Sequence, residues 1–229
     1  MSSSANGRPL RLALFDCDGT LVDSQFAIID AMTTAWSMHD LGEPDPLEVR
    51  RMVGLPLVQA VALLLPDLDT DRHVAVAESY KDAFAALRRR GDLHEPLFPG
   101  LLETMDALEA EGVLLGVATG KSRRGLDAVL AHHGLTHRFV TLQTSDLGPG
   151  KPHPAMVHRA LAETGVEEAG TVVIGDTTYD IQMARNARVA SVGVSWGYHA
   201  VAELEAAGAD RIVHRGREVA GAVLALLDR

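Results

Sequence analysis

The chain has 229 residues, of which 47% are hydrophobic and 23% charged, a balance typical of a globular protein and not of a disordered one. At about 150 residues per domain, this length predicts one full domain and a smaller one. The formal net charge of −10 argues against partners such as nucleic acid or an anionic membrane, because both repel an acidic surface. The single cysteine, Cys17, excludes an intramolecular disulfide, so we expect a cytoplasmic protein.

Short apolar runs recur along the chain after residues 1–9, which lack a signal-peptide core and predict a flexible N-terminal tail. The first run spans residues 10–15 and ends at Asp16. Similar runs span residues 113–118, 171–174, 190–194 and 211–213. Such runs, bounded by polar turns, are typical of strands buried on both faces of a parallel sheet.

Helical patterns lie between most of these runs. They span residues 100–110, 125–133, 155–164 and 181–187. The alternation of strands and helices predicts an α/β fold, with a parallel sheet covered by helices on both faces.

The segment from residue 23 to residue 94 has a different pattern. It lacks a comparable strand run and carries two helical stripes, one around Trp36 and one from Val74 to Leu87. We therefore predict an all-helical domain at residues 23–94, inserted into a core domain made of residues 10–22 and 95–229.

Carboxylates follow the predicted strands at the point where each strand ends. Asp16 and Asp18 follow the first strand, and Asp176 and Asp180 follow the run at 171–174. Because ligands bind at the carboxyl ends of parallel strands, we expect these side chains to converge. Like charges about 4 Å apart repel by roughly 4 kcal/mol at an effective dielectric of 20. A positive charge must compensate, and oxygen ligands suit Mg²⁺.

A lysine and a hydroxyl are expected at the same sheet edge. Lys151 lies in a loop before a helix, and Thr119 follows the run at 113–118. A carboxylate beside a metal and a lysine is suited to attack on phosphorus, which forms an aspartyl-phosphate. A second acid nearby protonates the leaving oxygen and later deprotonates water. The pattern therefore predicts phosphoryl transfer.

These residues resemble the motifs of the haloacid dehalogenase (HAD) superfamily. The segment from Asp16 to Ser24, DCDGTLVDS, resembles its DxDGTLxDS signature, and Thr119, Lys151-Pro152 and the GDTTYD segment at 175–180 follow in the order of its other motifs. The resemblance implies a Rossmann-like core, and the helical insertion resembles the C1 cap. The segments LVDS, FPG, KPHP and GDTTYDI are similar to the phosphoglycolate phosphatase-like subgroup.

The resemblance also implies catalytic and metal-binding roles. Asp16 would be the nucleophile and a Mg²⁺ ligand. Asp18 would be the general acid/base and would ligate Mg²⁺ through its backbone carbonyl. Asp176 would be a Mg²⁺ ligand, Lys151 would neutralise Asp16 and the phosphate, and Asp180 would support the metal site or pair with Lys151.

Phosphate binding would fall to Thr119 and the backbone amide of Gly120. Relatives often carry Ser or Asn at the position of Gly120, which keeps the amide but lacks a side-chain contact. Closure of the cap would exclude water, with hinges near residues 22–24 and 92–99.

The expected function is a Mg²⁺-dependent phosphatase acting on a small phosphorylated metabolite, phosphoglycolate being the first candidate. A β-phosphoglucomutase-like phosphomutase, an inorganic pyrophosphatase and a phosphate-binding protein without turnover remain alternatives. Dehalogenase relatives lack the second acid, so Asp18 argues against that chemistry. Arg50 and Arg51 are candidates for a contact with a substrate carboxylate, although a surface role is favoured. The chain is expected to be a monomer or a homodimer.

Overall fold

The structure is a computed structural model that describes residues 9–229. The predicted tail at residues 1–9 therefore lies almost entirely outside the described residues. Among the described residues, none of the helices combines the length and the apolar character needed to cross a membrane.

The described residues form a sheet of six parallel strands in the order β3-β2-β1-β4-β5-β6. The strands are β1 (Arg11–Phe15), β2 (Val113–Ala118), β3 (Phe139–Gln143), β4 (Thr171–Gly175), β5 (Ala190–Val194) and β6 (Arg211–Val213). The chain moves outward from β1 in both directions, so the strand order reverses between β1 and β4. A crevice at the carboxyl ends of the strands is expected at such a reversal.

The inner strands β1, β2, β4 and β5 are buried on both faces, which explains their apolar runs. On β1, Ala13 and Phe15 belong to one buried cluster, and Leu12 and Leu14 belong to another. The flanking helices are α5 (Leu101–Ala110), α6 (Arg123–His132), α7 (Ala155–Thr164), α8 (Thr178–Asn186), α9 (Val201–Ala207) and α10 (Val219–Leu227). Residues of α5, α6 and α10 pack in the first cluster, and residues of α7 and α8 pack in the second.

Of the five helices between β1 and β2, the first four have their own apolar core. They are α1 (Gln25–Met38), α2 (Pro46–Arg51), α3 (Leu57–Leu64) and α4 (Thr70–Arg90). Trp36 is buried in this core, as expected, and α1 packs mainly against α4. The two chain segments that join these helices to the sheet pair with each other, because the Asp23 N–H donates to the Pro96 carbonyl and Val22 pairs with Leu97.

The predicted α/β fold with a helical insertion is confirmed. The edge strand β3 was not predicted, because its run FVTLQ is interrupted by polar residues and its Val140 is exposed. The helices α9 and α10 were not predicted either. The predicted start of α8 at residue 181 is wrong, since the helix begins at Thr178 after a polar cap at Thr177. A polar first turn carries no apolar periodicity.

Candidate active site

Strand register brings the predicted residues to the same height at one edge of the sheet. Phe15 pairs with Val117 of β2 and with Ile174 of β4. The loops that begin at Asp16, Thr119 and Asp176 therefore start side by side. The Asp16 N–H donates to the Ile174 carbonyl at 2.8 Å, which extends the ladder to the first carboxylate.

Asp16 is buried and has one free carboxylate oxygen. Its Oδ1 accepts the Cys17 N–H at 2.6 Å and lies 2.8 Å from the Lys151 Nζ. Its Oδ2 has no hydrogen-bond partner among residues 9–229. A buried polar atom without a partner is rare and is explained by a missing ligand or a catalytic role. Asp16 therefore has an oxygen available for a metal ion or a phosphorus atom.

Lys151 connects two of the carboxylates. Its ammonium group is fully buried and lies 2.8 Å from Asp16 Oδ1 and 2.6 Å from Asp180 Oδ1. Burial alone would lower the pKa of Lys151, but the two carboxylates outweigh it and hold the pKa above its ordinary value. Lys151 is therefore a permanent positive charge beside the free oxygen of Asp16.

Three carboxylates form a cluster that fits a hard cation. Asp16, Asp176 and Asp180 each offer an oxygen within 4.8 Å of the others, and all three residues are buried. Burial raises the pKa of Asp16 to about 7, although Lys151 acts in the opposite direction. Burial, with the nearby carboxylates of Asp16 and Asp180, also raises the pKa of Asp176. Because the cluster holds more negative charge than Lys151 balances, its oxygens suit a divalent ion such as Mg²⁺.

Asp176 is held in place by two hydrogen bonds, and Gly19 leaves room for its carboxylate. Thr20 Oγ1 donates to its Oδ1 at 2.7 Å, and the Tyr198 N–H donates to its Oδ2 at 2.9 Å. Gly19 has a φ of +80°, and a Cβ atom built on it would lie 2.3 Å from Asp176 Oδ2. Only glycine fits there, since it combines the left-handed backbone with the close approach of the carboxylate.

Asp180 has two structural roles at the start of α8. Its Oδ2 accepts hydrogen bonds from the N–H and the Oγ1 of Thr177, and its Oδ1 faces Lys151. The Asp180 N–H donates in turn to Thr177 Oγ1, which completes a capping box. The sequence left open whether Asp180 supports the metal site or pairs with Lys151. The structure places it in the carboxylate cluster and also in the ion pair.

Asp18 lies beside this cluster in a separate group of side chains. Its Oδ1 accepts a short hydrogen bond from Ser24 Oγ and lies 3.0 Å from the Lys121 Nζ. The same Nζ lies 3.2 Å from Glu95 Oε1, so the lysine joins two buried carboxylates. Sequence reasoning missed Lys121, Glu95 and Ser24. One signal was available, because Lys121 is one of three lysines in the chain and directly follows Gly120.

Thr119 and Gly120 lie where β2 ends. The Thr119 N–H donates to the Gln143 carbonyl at 2.9 Å, and Thr119 Oγ1 accepts the Lys121 N–H at 3.2 Å. A Cβ atom on Gly120 would lie only 2.9 Å from the Gly54 carbonyl oxygen, in the loop before α3. A glycine at residue 120 is thus explained by the helical insertion, which packs directly over it.

A cavity of about 330 Å³ separates the helical insertion from the sheet edge. Its floor includes Asp16, Asp18, Thr119 and Gly120, and its other walls come from α1, α4 and residues 49–60. A ligand in this cavity would therefore contact Asp16.

Other candidates from the sequence lie away from the cavity. Arg50 donates to Gln25 Oε1 at 3.2 Å, and Arg51 forms an exposed ion pair with Glu203 at 2.6 Å. Each arginine pairs with a side chain of another helix, and neither lines the cavity. Cys17 is fully buried, and burial raises the pKa of its thiol well above the ordinary value, so it is a poor nucleophile.

Comparisons with known proteins agree with this geometry. Residues 13–194 match the model of the haloacid dehalogenase-like hydrolase family. The chain is 37% identical over 222 residues to a probable phosphatase, IndB, of Dickeya dadantii, with 94% of each chain covered. It is 34% identical over 219 residues to a phosphoglycolate phosphatase of Caulobacter vibrioides, covering 93% of this chain and 90% of that protein.

Solved structures show the same architecture. The crystal structure of a predicted phosphatase from Clostridium acetobutylicum has a TM-score of 0.85 at 25% identity and covers 95% of this chain and 99% of its own. A predicted phosphoglycolate phosphatase from Haemophilus somnus has a TM-score of 0.80 at 25% identity, with 93% and 97% covered. The similarity in both cases extends over the sheet and the helical insertion.

Proposed function

The chain belongs to the haloacid dehalogenase-like hydrolase family and is a phosphatase of that family, and we propose that it hydrolyses a small phosphorylated metabolite through an aspartyl-phosphate intermediate. The observation that carries the proposal is the free Oδ2 of buried Asp16, with the Lys151 Nζ 2.8 Å from the other oxygen of the same carboxylate. This is the arrangement of a nucleophile whose negative charge is partly balanced before the phosphate arrives.

The reaction proceeds in two steps on the residues of the chain. Asp16 Oδ2 attacks phosphorus, the bond from phosphorus to the substrate oxygen breaks, and the leaving oxygen takes a proton from Asp18. In the second step, Asp18 takes a proton from a water molecule that attacks the phosphorus of the aspartyl-phosphate. Inorganic phosphate leaves, and Asp16 is regenerated as a carboxylate.

We propose that Mg²⁺ is held by the carboxylates of Asp16 and Asp176 and by the backbone carbonyl of Asp18, with Asp180 in support. The three-carboxylate cluster supports this assignment, because its buried charge exceeds that of Lys151. When bound, the ion supplies positive charge that reduces the repulsion between the nucleophile and the phosphate.

The transferring phosphoryl group would be held by the Oγ1 of Thr119 and the backbone N–H of Gly120. The ammonium group of Lys151 would balance part of its negative charge. Thr119 is buried and lines the cavity together with Gly120, which supports the assignment. The helical insertion, residues 23–94, acts as a cap over this group, with hinges near residues 22–24 and 92–99. We infer a cytoplasmic location from the single, buried Cys17.

The test is phosphate release from a panel of phosphorylated acids, sugars and nucleotides and from pyrophosphate, with Mg²⁺ and with EDTA. Asp16→Asn should abolish release, whereas Asp82→Asn, an exposed substitution on α4, should leave it unchanged. Full activity of Asp16→Asn would refute the mechanism. Conversion of glucose 1-phosphate to glucose 6-phosphate without phosphate release would identify a phosphomutase instead.

A further inference from the structure

The walls of the cavity above Asp16 are mostly apolar. The side chains on three sides come from α1, from residues 49–60 and from α4, and they include Ile28, Met32, Val53, Leu57, Tyr80 and Phe84. Its volume of about 330 Å³ lies within the range of pockets that hold compact organic ligands of many atoms. A two-carbon substrate body would leave most of this space unfilled.

The inner cations of the cavity are already paired. Lys121 Nζ lies 3.0 Å from Asp18 Oδ1 and 3.2 Å from Glu95 Oε1, and the Arg88 Nη2 lies 3.3 Å from Glu95 Oε2. The Lys121 and Glu95 side chains are only 9% and 5% exposed, so the ion pair between them is shielded from water. Neither cation is free to bind a second anionic group of a substrate.

The two remaining basic residues of the lining, Lys81 and Arg124, are exposed. Lys81 pairs with Glu78 at 2.6 Å on the surface of α4. Exposed ion pairs contribute little free energy, because water and salt screen the interaction between the two charges. A carboxylate carried into the apolar part of the cavity would lose its hydration without gaining a buried partner, which is unfavourable.

Two aromatic side chains lie on the wall formed by α4. The rings of Tyr80 and Phe84 are 5.9 Å apart, and Phe84 also lies under the Lys121 Nζ at 4.9 Å from its ring centroid. Aromatic walls favour flat or ring-shaped apolar groups, since such groups bury a large area against them.

We propose that this enzyme prefers phosphate monoesters whose alcohol half is uncharged, bulky and apolar, with a ring, over phosphoglycolate. The proposal rests on the proposed phosphatase function and concerns the same site. The proposed substrate class differs from phosphoglycolate, the compound in the names of several relatives. Here the binding energy would come from the apolar walls and not from a cation facing a carboxylate.

The test uses four esters that separate size from charge: benzyl phosphate, 4-carboxybenzyl phosphate, ethyl phosphate and phosphoglycolate, each with Mg²⁺. We expect kcat/KM for benzyl phosphate to exceed that of each of the other three by about tenfold or more. A kcat/KM for phosphoglycolate equal to or above that for benzyl phosphate would overturn the substrate class and leave the phosphatase function intact. Release of phosphate from none of the four, together with release from another member of the wider panel, would overturn the substrate class alone.

Two alanines on α4 provide a matched pair of variants. Ala85 lines the cavity, whereas its neighbour Ala86 does not. Ala85→Leu should reduce the ratio of benzyl to ethyl phosphate hydrolysis by about tenfold, since it fills space that a ring would occupy. Ala86→Leu should leave the ratio unchanged. An unchanged ratio in Ala85→Leu would contradict the proposed binding mode, and a selective loss of phosphoglycolate hydrolysis in Arg124→Ala would show that the cavity does bind a carboxylate.

Discussion

The carbonyl oxygen of Gly54 lies so close to Gly120 that a Cβ atom on Gly120 would approach it to 2.9 Å. Gly54 belongs to the helical insertion, and Gly120 belongs to the loop proposed to hold the phosphoryl group. Because Gly120 has no side chain, the helical insertion and this loop can contact each other closely.

Gly120→Ser should impair this contact. The new Cβ atom would clash with the carbonyl oxygens of Gly54 and Leu55. Overpacking of this kind typically destabilises a protein by about 1–3 kcal/mol. We expect kcat/KM to fall about tenfold, because the insertion can move away and leave the cavity open to water. Steady-state kinetics measures the loss. Gly221→Ser is the control, since a Cβ atom there meets nothing within 4 Å, and wild-type kinetics in Gly120→Ser would contradict the prediction.

Lys121→Met should leave Asp18 and Glu95 without the cation between them. Burial alone would lower the pKa of Lys121, but Asp18 and Glu95 raise it, so the residue is charged in the native protein. Removing one partner of a buried ion pair lowers the free energy of unfolding by about 3–5 kcal/mol. We also expect kcat to fall, because Lys121 no longer holds the Asp18 carboxylate in position. Urea unfolding and kcat report the two effects.

A lysine on the surface provides the comparison for this variant. Lys81→Met removes an exposed ion pair with Glu78 and should change the free energy of unfolding by less than about 1 kcal/mol. Adding Asp18→Asn to Lys121→Met should restore part of the stability, since Asp18 loses its cationic partner in Lys121→Met whereas Glu95 keeps its ion pair with Arg88. Equal stability of the two single lysine variants would rule out the structural role of Lys121.

Without Mg²⁺, the stability of the protein should fall as pH rises from about 4 towards 7. The pKa of Asp16 is raised in the folded chain from 3.8 to about 7, so the folded state binds the proton more tightly than the unfolded state. Protonation of Asp16 therefore contributes to the free energy of unfolding. This contribution is complete below pH 3.8 and is lost as the pH rises through about 7. Thermal unfolding in EDTA at pH 5 and pH 7.5 measures it.

Thermal unfolding of Asp16→Asn at the same two pH values isolates the contribution of the Asp16 carboxyl group. The variant should show a smaller decrease in melting temperature between the two pH values than the wild type, and Mg²⁺ should reduce the decrease in the wild type. A wild type and variant with the same pH dependence would show that Asp16 does not titrate in this range.

Thr20→Val should weaken Mg²⁺ activation without abolishing turnover. Thr20 Oγ1 donates to Asp176 Oδ1 at 2.7 Å, so its removal loosens a proposed metal ligand. Loss of such an orienting partner typically costs about 10–100-fold in metal affinity. The Mg²⁺ concentration for half-maximal activity should rise by that factor, with kcat recovering at saturation. Thr33→Val on the exposed face of α1 is the matched control, and an unchanged Mg²⁺ requirement in Thr20→Val would refute the ligand assignment.

The fold was predictable wherever local pattern and tertiary environment agree. The central strands β1, β2 and β4 are buried on both faces, so their apolar runs are continuous and stand out. The edge strand β3 exposes Val140 and buries the polar Thr141 and Gln143, so it lacks a continuous apolar run. Its pairing with β2 stabilises it, and this contribution is not visible in a short stretch of sequence.

By itself, the sequence determined the family, the α/β fold and the set of acidic residues at the sheet edge. These carboxylates lie in the short segments from Asp16 to Ser24 and from Gly175 to Asp180, where spacing and turn residues dictate their placement. Only the tertiary structure decided that Lys121 joins Asp18 to Glu95 and that the cavity is lined with apolar side chains. Those relationships depend on how separate helices and loops pack together, and side chains far apart in the chain carry no local pattern that reveals their contact.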